Sequence, residues 1–137
     1  MIGISTKTIY AVSALQILGQ IPKNEVLKIK MIASKASIPQ NFLEQILLSL
    51  KKQGLLHSVK GANGGYRLAK GLDEISLKEV AEILESDIFA DIYPLSNPAL
   101  TLFWADFKTE ITKVFEKPLS ELKSYELLAN ESLNYSI

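Results

Sequence analysis

The spacing of apolar residues along the first half of the chain predicts three helices. The first covers residues 5–18, where Ser5 is suited to cap the helix and apolar side chains recur every three or four positions. Those positions are Ile9, Val12, Leu15 and Leu18. A short strand is expected near 27–29 and a short second helix over 31–36. After a tight turn, a third helix begins at Pro39, ends near Gln53 and is followed by Gly54 as a stop. Its apolar stripe consists of Phe42, Leu43, Ile46, Leu47 and Leu50.

Two short strand-like runs follow the third helix directly and flank a glycine-rich tip. The runs cover residues 55–60 and 66–68, and between them Asn63 and Gly64 form the dipeptide that accepts the positive φ angles of a tight hairpin turn. The basic side chains around this tip are Lys60, Arg67 and Lys70. A short helix, a tight turn, a longer helix and a basic hairpin, in this order, are typical of a winged-helix DNA-binding domain.

Helical patterns with capping signals also dominate the second half of the chain. Ser76 and Glu79 form a capping box that opens a fourth helix over residues 76–85. Residues 86–97 are predicted to form a loop, and Asn97 then caps a long helix that ends near Glu116. The loop contains Asp87, Asp91, Tyr93 and Pro94. A short amphipathic segment is expected over 119–129, and the last eight residues are expected to fray.

The long helix has a wide apolar stripe in which aromatic residues predominate. The stripe consists of Leu100, Phe103, Trp104, Phe107, Ile111, Val114 and Phe115. Because residues 5–85 can close a core of their own, we expect the stripe to pack on a second copy of the chain, with packing on its own domain as the alternative.

The predicted fold is mainly α with a small β-hairpin wing. A winged helix-turn-helix occupies residues 1–85, and a linker loop, the long dimerisation helix and a C-terminal tail occupy 86–137.

The formal net charge of zero conceals an uneven distribution between the two halves. Residues 1–72 contain ten basic and two acidic side chains, a balance of +8, and the remaining residues have a balance of −8. A basic half favours a polyanionic partner. No run of 18 uncharged apolar residues predicts a membrane span, and the N-terminal residues show no signal pattern, so we expect a cytoplasmic protein. The absence of cysteine excludes disulfides and thiolate metal sites.

Much of the chain resembles the Rrf-two family of bacterial transcription regulators. This family includes the iron–sulfur cluster regulator, the nitric-oxide-sensing repressor and the cysteine-metabolism repressor. The similarity extends over roughly residues 1–122 and is most specific in the third helix and the Gly-Gly-Tyr hairpin. The matching segments are 10–15, 38–47, 50–56, 58–69, 75–80 and Trp104 with 118–122. The resemblance implies a homodimeric winged-helix regulator that binds a two-fold operator, usually as a repressor.

The resemblance also bears on cofactors. Many members of the family hold an iron–sulfur cluster through three cysteines between the fourth helix and the dimerisation helix. This chain has no cysteine. It therefore resembles a clusterless branch, for which no cofactor or metal is expected and whose signal is a partner protein, a small ligand or nothing.

Polar residues near the start of the third helix are candidates for base recognition, since this is where recognition helices meet base edges. They are Asn41, Glu44 and Gln45. Asn and Gln can pair bidentately with adenine, and Glu can accept a hydrogen bond from the cytosine amino group. An ordinary solvated face is the alternative. The expected contacts of the backbone and wing are Lys51, Lys52, Lys60, Gly61, Gly64, Gly65, Arg67 and Lys70.

The sequence shows no catalytic constellation. His57 is the single histidine and has no nearby aspartate, and the glycine-rich tip joins strand to strand rather than forming a phosphate loop. We therefore predict a DNA-binding transcriptional regulator, not an enzyme, with double-stranded DNA and a second copy as partners and no membrane. Two alternatives stay open. One is a protein-interaction module that has lost operator binding, and the other is a sensor whose small ligand lies between the fourth and the long helix.

Overall fold

The computed structural model describes residues 3–91 and 95–135, and within them it contains six α-helices and one β-hairpin. The elements in chain order are α1 (Thr6–Leu18), α2 (Ile29–Ala36), α3 (Gln40–Lys52), β1 (Leu56–Val59), β2 (Gly65–Leu68), α4 (Leu77–Leu84), α5 (Pro98–Phe115) and α6 (Leu122–Tyr135). This architecture confirms the predicted fold class. Tyr93 and Pro94 of the predicted loop lie outside the described residues. No helix in these ranges is sufficiently long and apolar to cross a membrane.

The hydrophobic core lies where the first four helices meet the base of the hairpin. Its fully buried large side chains include Leu15, Ile32, Leu43, Leu47, Leu50, Leu55, Ile75 and Val80. Two residues that the apolar pattern placed on the inner faces, Ile9 and Phe42, are instead exposed. The Phe42 ring meets the Tyr10 ring edge-on, with 5.7 Å between their centroids. The predicted inner faces of α1 and α3 are thus wrong at one residue each.

A left-handed residue makes the turn between α2 and α3 tight. Ser37 has φ 56°, and the Ile38 amide donates to the Ala33 carbonyl across the turn at 3.0 Å. Pro39 then occupies the N-cap of α3 instead of the predicted first helical position, so the helix begins at Gln40. Gly54 ends the helix with φ +83°, as a left-handed C-terminal glycine does. The hairpin therefore begins immediately after α3 and is held against its end.

The hairpin differs from the predicted two-residue turn. β1 and β2 pair antiparallel, with Val59 opposite Gly65, and residues 60–64 form the loop between them. The positive φ falls at Gly61 (105°), whereas neither Asn63 nor Gly64 has one. Gly64 is needed for a different reason: a Cβ there would lie 2.0 Å from the Val59 carbonyl oxygen. The Asn-Gly prediction was wrong because close backbone approach, not turn geometry, requires this glycine.

The loop before α2 joins the hairpin as a third, very short strand-like segment. Leu27 forms an isolated antiparallel bridge with Tyr66, with N–O distances of 2.9 and 2.8 Å. Of the strand expected near 27–29, only Leu27 pairs in this way, because α2 already begins at Ile29. A Cβ on Gly65 would lie 2.5 Å from the Leu27 carbonyl oxygen, so the bridge requires glycine at this position. As a result, the start of α2 lies beside the wing.

The helix caps follow the predictions with one exception. Ser76 accepts from the Glu79 amide at 3.1 Å, and Asn97 accepts from the Ala99 amide at 3.0 Å, so both predicted caps are confirmed. Ser5 stands at the N-cap of α1 but makes no capping bond, because its hydroxyl donates instead to the Glu85 carboxylate.

The C-terminal region returns to the core before it extends away. The Leu119 amide donates to the Ile75 carbonyl at 2.8 Å, and the Leu119 side chain is buried in the core. α6 continues to Tyr135, so the prediction that the last residues fray is wrong for 130–135, where the helix persists.

Candidate nucleic-acid interface

One face of α3 presents polar side chains to solvent while the opposite face is sealed in the core. Asn41, Glu44 and Gln45 are all exposed. Glu44 and Gln45 follow Asn41 by three and four residues, so each is a neighbour of Asn41 on the helix surface. The structure therefore brings the three residues predicted to contact bases together on one accessible surface, next to the tight turn from α2.

Lysines from three separate elements line one cleft at the C-terminal end of α3. The cleft has a volume of about 490 Å³ and lies between the start of α2, the end of α3 and the wing tip. The lysines that line it are Lys28, Lys30, Lys51 and Lys60. All four are exposed, and within the described residues none forms an ion pair. We call this the four-lysine cleft.

The sequence predicted only half of these lysines. Lys51 and Lys60 were expected there, but Lys28 and Lys30 were not, because they precede the hairpin by more than twenty residues. The bridge between Leu27 and Tyr66 brings them to the wing. The strand expected near 27–29 was the signal that could have placed these lysines beside the wing. The hairpin contains the other predicted strands, so a strand near 27–29 would be expected to pair with it.

Two basic residues predicted to contact the DNA backbone lie on the opposite side of the hairpin from the four-lysine cleft. Arg67 and Lys70 line a second cleft of about 630 Å³ on the other side of the hairpin, together with Glu25, His57 and Glu74. Lys70 also pairs with Glu79 of α4, with 3.0 Å between Nζ and Oε1. These two cations are therefore not part of the four-lysine cleft, although both stand near the base of the wing.

Most of the apolar stripe of α5 is uncovered within the described residues, although the Phe115 ring packs edge-on against the Phe89 ring, with 5.1 Å between their centroids. No residue of α5 is buried, and the most exposed members of the predicted stripe are Phe103, Phe107 and Val114, at 54%, 50% and 57%. The Trp104 ring packs on two helical neighbours, with ring centroids 5.0 Å from Phe103 and 5.5 Å from Phe107. The remaining members are Leu100, Ile111 and Phe115, of which the last two are half-buried.

A short helix, a tight turn, an exposed recognition helix and a basic hairpin together form a winged helix-turn-helix, a DNA-binding unit. The chain belongs to the Rrf2 (Rrf-two) family, whose profile, described as iron-dependent transcriptional regulator, matches residues 4–127. The protein is a DNA-binding transcriptional regulator.

Three known proteins illustrate the relationship. The regulator IscR of Cereibacter sphaeroides is 34% identical over 89 residues, which cover 64% of this chain and 57% of that protein. The crystal structure of CymR, the global cysteine regulator of Bacillus subtilis, has a TM-score of 0.78 and 28% identity, and the match covers 91% of this chain and 98% of that one. The structure of T. potens IscR has a TM-score of 0.75 and 28% identity, over 91% and 88% of the two chains.

The family description implies an iron site, which requires suitable ligand side chains. An iron–sulfur cluster is held by thiolates, and the sequence has no cysteine. Within residues 3–91 and 95–135, no three His, Asp or Glu side chains gather in a way that could hold a metal ion. The residues present do not fit an iron site of either kind.

Proposed function

We propose that this regulator acts as a homodimer that binds a two-fold DNA operator, in most settings as a repressor. The observation that carries the proposal is that Lys51 of the four-lysine cleft lies about two helical turns after Glu44, on the same side of α3. A recognition surface needs groups that can read base edges next to cations that neutralise the flanking phosphates. Here both occur on one side of the molecule.

The base-reading role belongs to Asn41, Glu44 and Gln45. Glu44 supports the assignment because it is one of only two acidic residues in the basic half of the chain. A carboxylate near phosphates is unfavourable unless it accepts a hydrogen bond from a base, as it can from the cytosine amino group.

The phosphate-binding role extends beyond the residues predicted from sequence. Lys28 and Lys30 would join Lys51, Lys52 and Lys60 along the DNA backbone, where they add affinity but no sequence preference. Gly61, Gly64 and Gly65 allow the wing tip to approach the duplex closely. Arg67 and Lys70 would contribute less, because they line the other side of the hairpin and Lys70 already has a carboxylate partner.

The second copy would cover the apolar stripe of α5. Exposed aromatic side chains along a helix favour burial against an apolar surface, and two-fold homodimers are the commonest oligomers. A two-fold dimer would place two α3 helices on one face, to meet successive major grooves. Residues 1–85 would then serve as the DNA-binding unit and 86–137 as the dimerisation unit, in the cytoplasm.

The regulatory signal would not pass through an iron–sulfur cluster, since the ligands are lacking. A partner protein or a small ligand would take that place. The part of the chain that the structure describes shows no arrangement that suggests catalysis, and we propose that the protein is not an enzyme.

Binding of labelled promoter fragments at several salt concentrations tests this function. A dimer that makes about 6–10 phosphate contacts should lose roughly 10³–10⁵-fold in affinity between 50 and 200 mM salt. Absence of salt-dependent binding to any fragment would favour the protein-interaction module instead.

A further inference from the structure

Two large apolar residues of α3 are exposed: Phe42, whose ring meets Tyr10, and Leu48. Its side chain is 47% exposed, whereas the leucines at 43, 47 and 50 of the same helix are buried completely. Leu48 therefore takes no part in the core. Its side chain is therefore available for contact with a partner of α3.

The neighbours of Leu48 on the helix surface are all polar or charged. Glu44 and Gln45 lie one turn before it, and Lys51 and Lys52 lie one turn after it. Leu48 thus stands between the residues proposed to read bases and the lysines proposed to bind phosphates. This placement rests on the proposed function: with α3 in the major groove of DNA, Leu48 faces the floor of that groove.

Only one base-edge group in the major groove is apolar, the C5-methyl group of thymine. A leucine pressed against any other base edge would remove water from hydrogen-bonding groups without replacing the bonds. We propose that Leu48 is a specificity-determining residue that reads a thymine methyl group in each half-site. Contact between the two apolar groups removes both from water and favours thymine at that position.

Replacement of thymine by deoxyuridine removes the methyl group and nothing else, which makes the test specific. A preferred duplex is first selected with the wild-type chain from a random library, and each thymine is then replaced singly by deoxyuridine. Wild-type protein should lose affinity about four-fold at one position in a half-site, the effect expected for one buried methyl group. Leu48→Ala should bind the original duplex more weakly and show no further loss with deoxyuridine at that position.

Leu48→Met is the matched control, because it keeps an apolar side chain of similar volume. It should retain sensitivity to deoxyuridine, and all three proteins should unfold at similar temperatures because Leu48 is not part of the core. Undiminished sensitivity in Leu48→Ala, or wild-type binding that ignores every deoxyuridine, would overturn the assignment of Leu48. Failure of the wild-type chain to retain any duplex would overturn the proposed function itself, so the two failures are distinguishable.

Discussion

The hydroxyl of Thr8 in α1 donates a hydrogen bond to the carboxylate of Glu85 at the end of α4. Thr8 is fully buried, and the amide and hydroxyl of Ser5 donate to the same carboxylate oxygen. The three bonds hold the start of the first helix to the point where the chain leaves towards α5. All three residues of this junction belong to the proposed DNA-binding unit, and Glu85 lies at its boundary with the proposed dimerisation unit.

Removal of the Thr8 hydroxyl should destabilise the fold. Thr8→Val keeps the shape of the side chain but takes one donor from a charged acceptor, so we expect the free energy of unfolding to fall by roughly 1.5–3 kcal/mol. Ser13→Ala is the control, since the Ser13 hydroxyl donates only to the Ile9 carbonyl of its own helix. Urea denaturation of both variants measures the difference. Equal, small effects would show that the junction contributes little.

The same junction should make stability depend on pH. Partial burial raises the pKa of Glu85, but hydrogen bonds from Ser5 and Thr8 and the charge of Lys7 outweigh it, so the pKa lies below its ordinary value of 4.5. A depressed pKa means that the ionised carboxylate stabilises the fold above pH 4.5, and that this contribution disappears as the pH falls through the lower folded-state value. The stability difference between wild type and Glu85→Gln should therefore shrink below pH 4.5. A difference that stays constant to pH 3 would contradict the assignment.

Lysines of the four-lysine cleft should contribute to affinity for all DNA sequences alike. Lys30→Ala and Lys60→Ala should each reduce the slope of log affinity against log salt by roughly 1.8, because a dimer loses two phosphate contacts. Lys123→Ala, which removes an exposed lysine on α6, should leave the slope unchanged. Fluorescence anisotropy on specific and random duplexes provides the measurement. An unaltered slope in the Lys30 variant would remove α2 from the interface.

The polar face of α3 should control sequence preference instead. Glu44→Ala and Gln45→Ala should each cost roughly 1–3 kcal/mol of discrimination at one base pair, with little change in binding to random DNA. Competition among single-base operator variants measures that discrimination. Preferences identical to those of the wild type would refute a base-reading role for these residues.

The stripe of α5 should determine the oligomeric state. Phe107→Glu places a charge in the proposed interface, so we expect monomers by sedimentation velocity and a loss of operator affinity of roughly 10²-fold or more. Thr109→Glu adds the same charge on the opposite side of the helix, roughly 200° away, and should leave the dimer intact. A dimer that survives Phe107→Glu but not Thr109→Glu would place the interface on the other face.

The elements predicted best were those with a strong local signal. The capping residues Ser76 and Asn97 identified the starts of α4 and α5, because each satisfies backbone amides within three residues of itself. Gly54 likewise marked the end of α3, because glycine readily adopts the positive φ angle found at this position. Such features depend on neighbours in sequence, so the sequence is sufficient to recognise them.

The errors arose where distant residues compete for the same group. Ser5 has the chemistry of a helix cap, but Glu85, eighty positions away, accepts its hydrogen bond instead. Asn63 and Gly64 have the composition of a two-residue turn, yet the approach of Val59 determines the loop. Lys28 and Lys30 were missed for the same reason, because only the long-range bridge to Tyr66 brings them to the wing.

The central claim is that two chains, joined through α5, present two α3 helices to one symmetric DNA site. Selection of bound duplexes from a random library, followed by native mass spectrometry of the selected complex, tests it most directly. We predict an inverted repeat whose half-sites are centred about one or more helical turns apart, bound by two chains per duplex. Enrichment of an asymmetric site bound by a single chain would contradict the account.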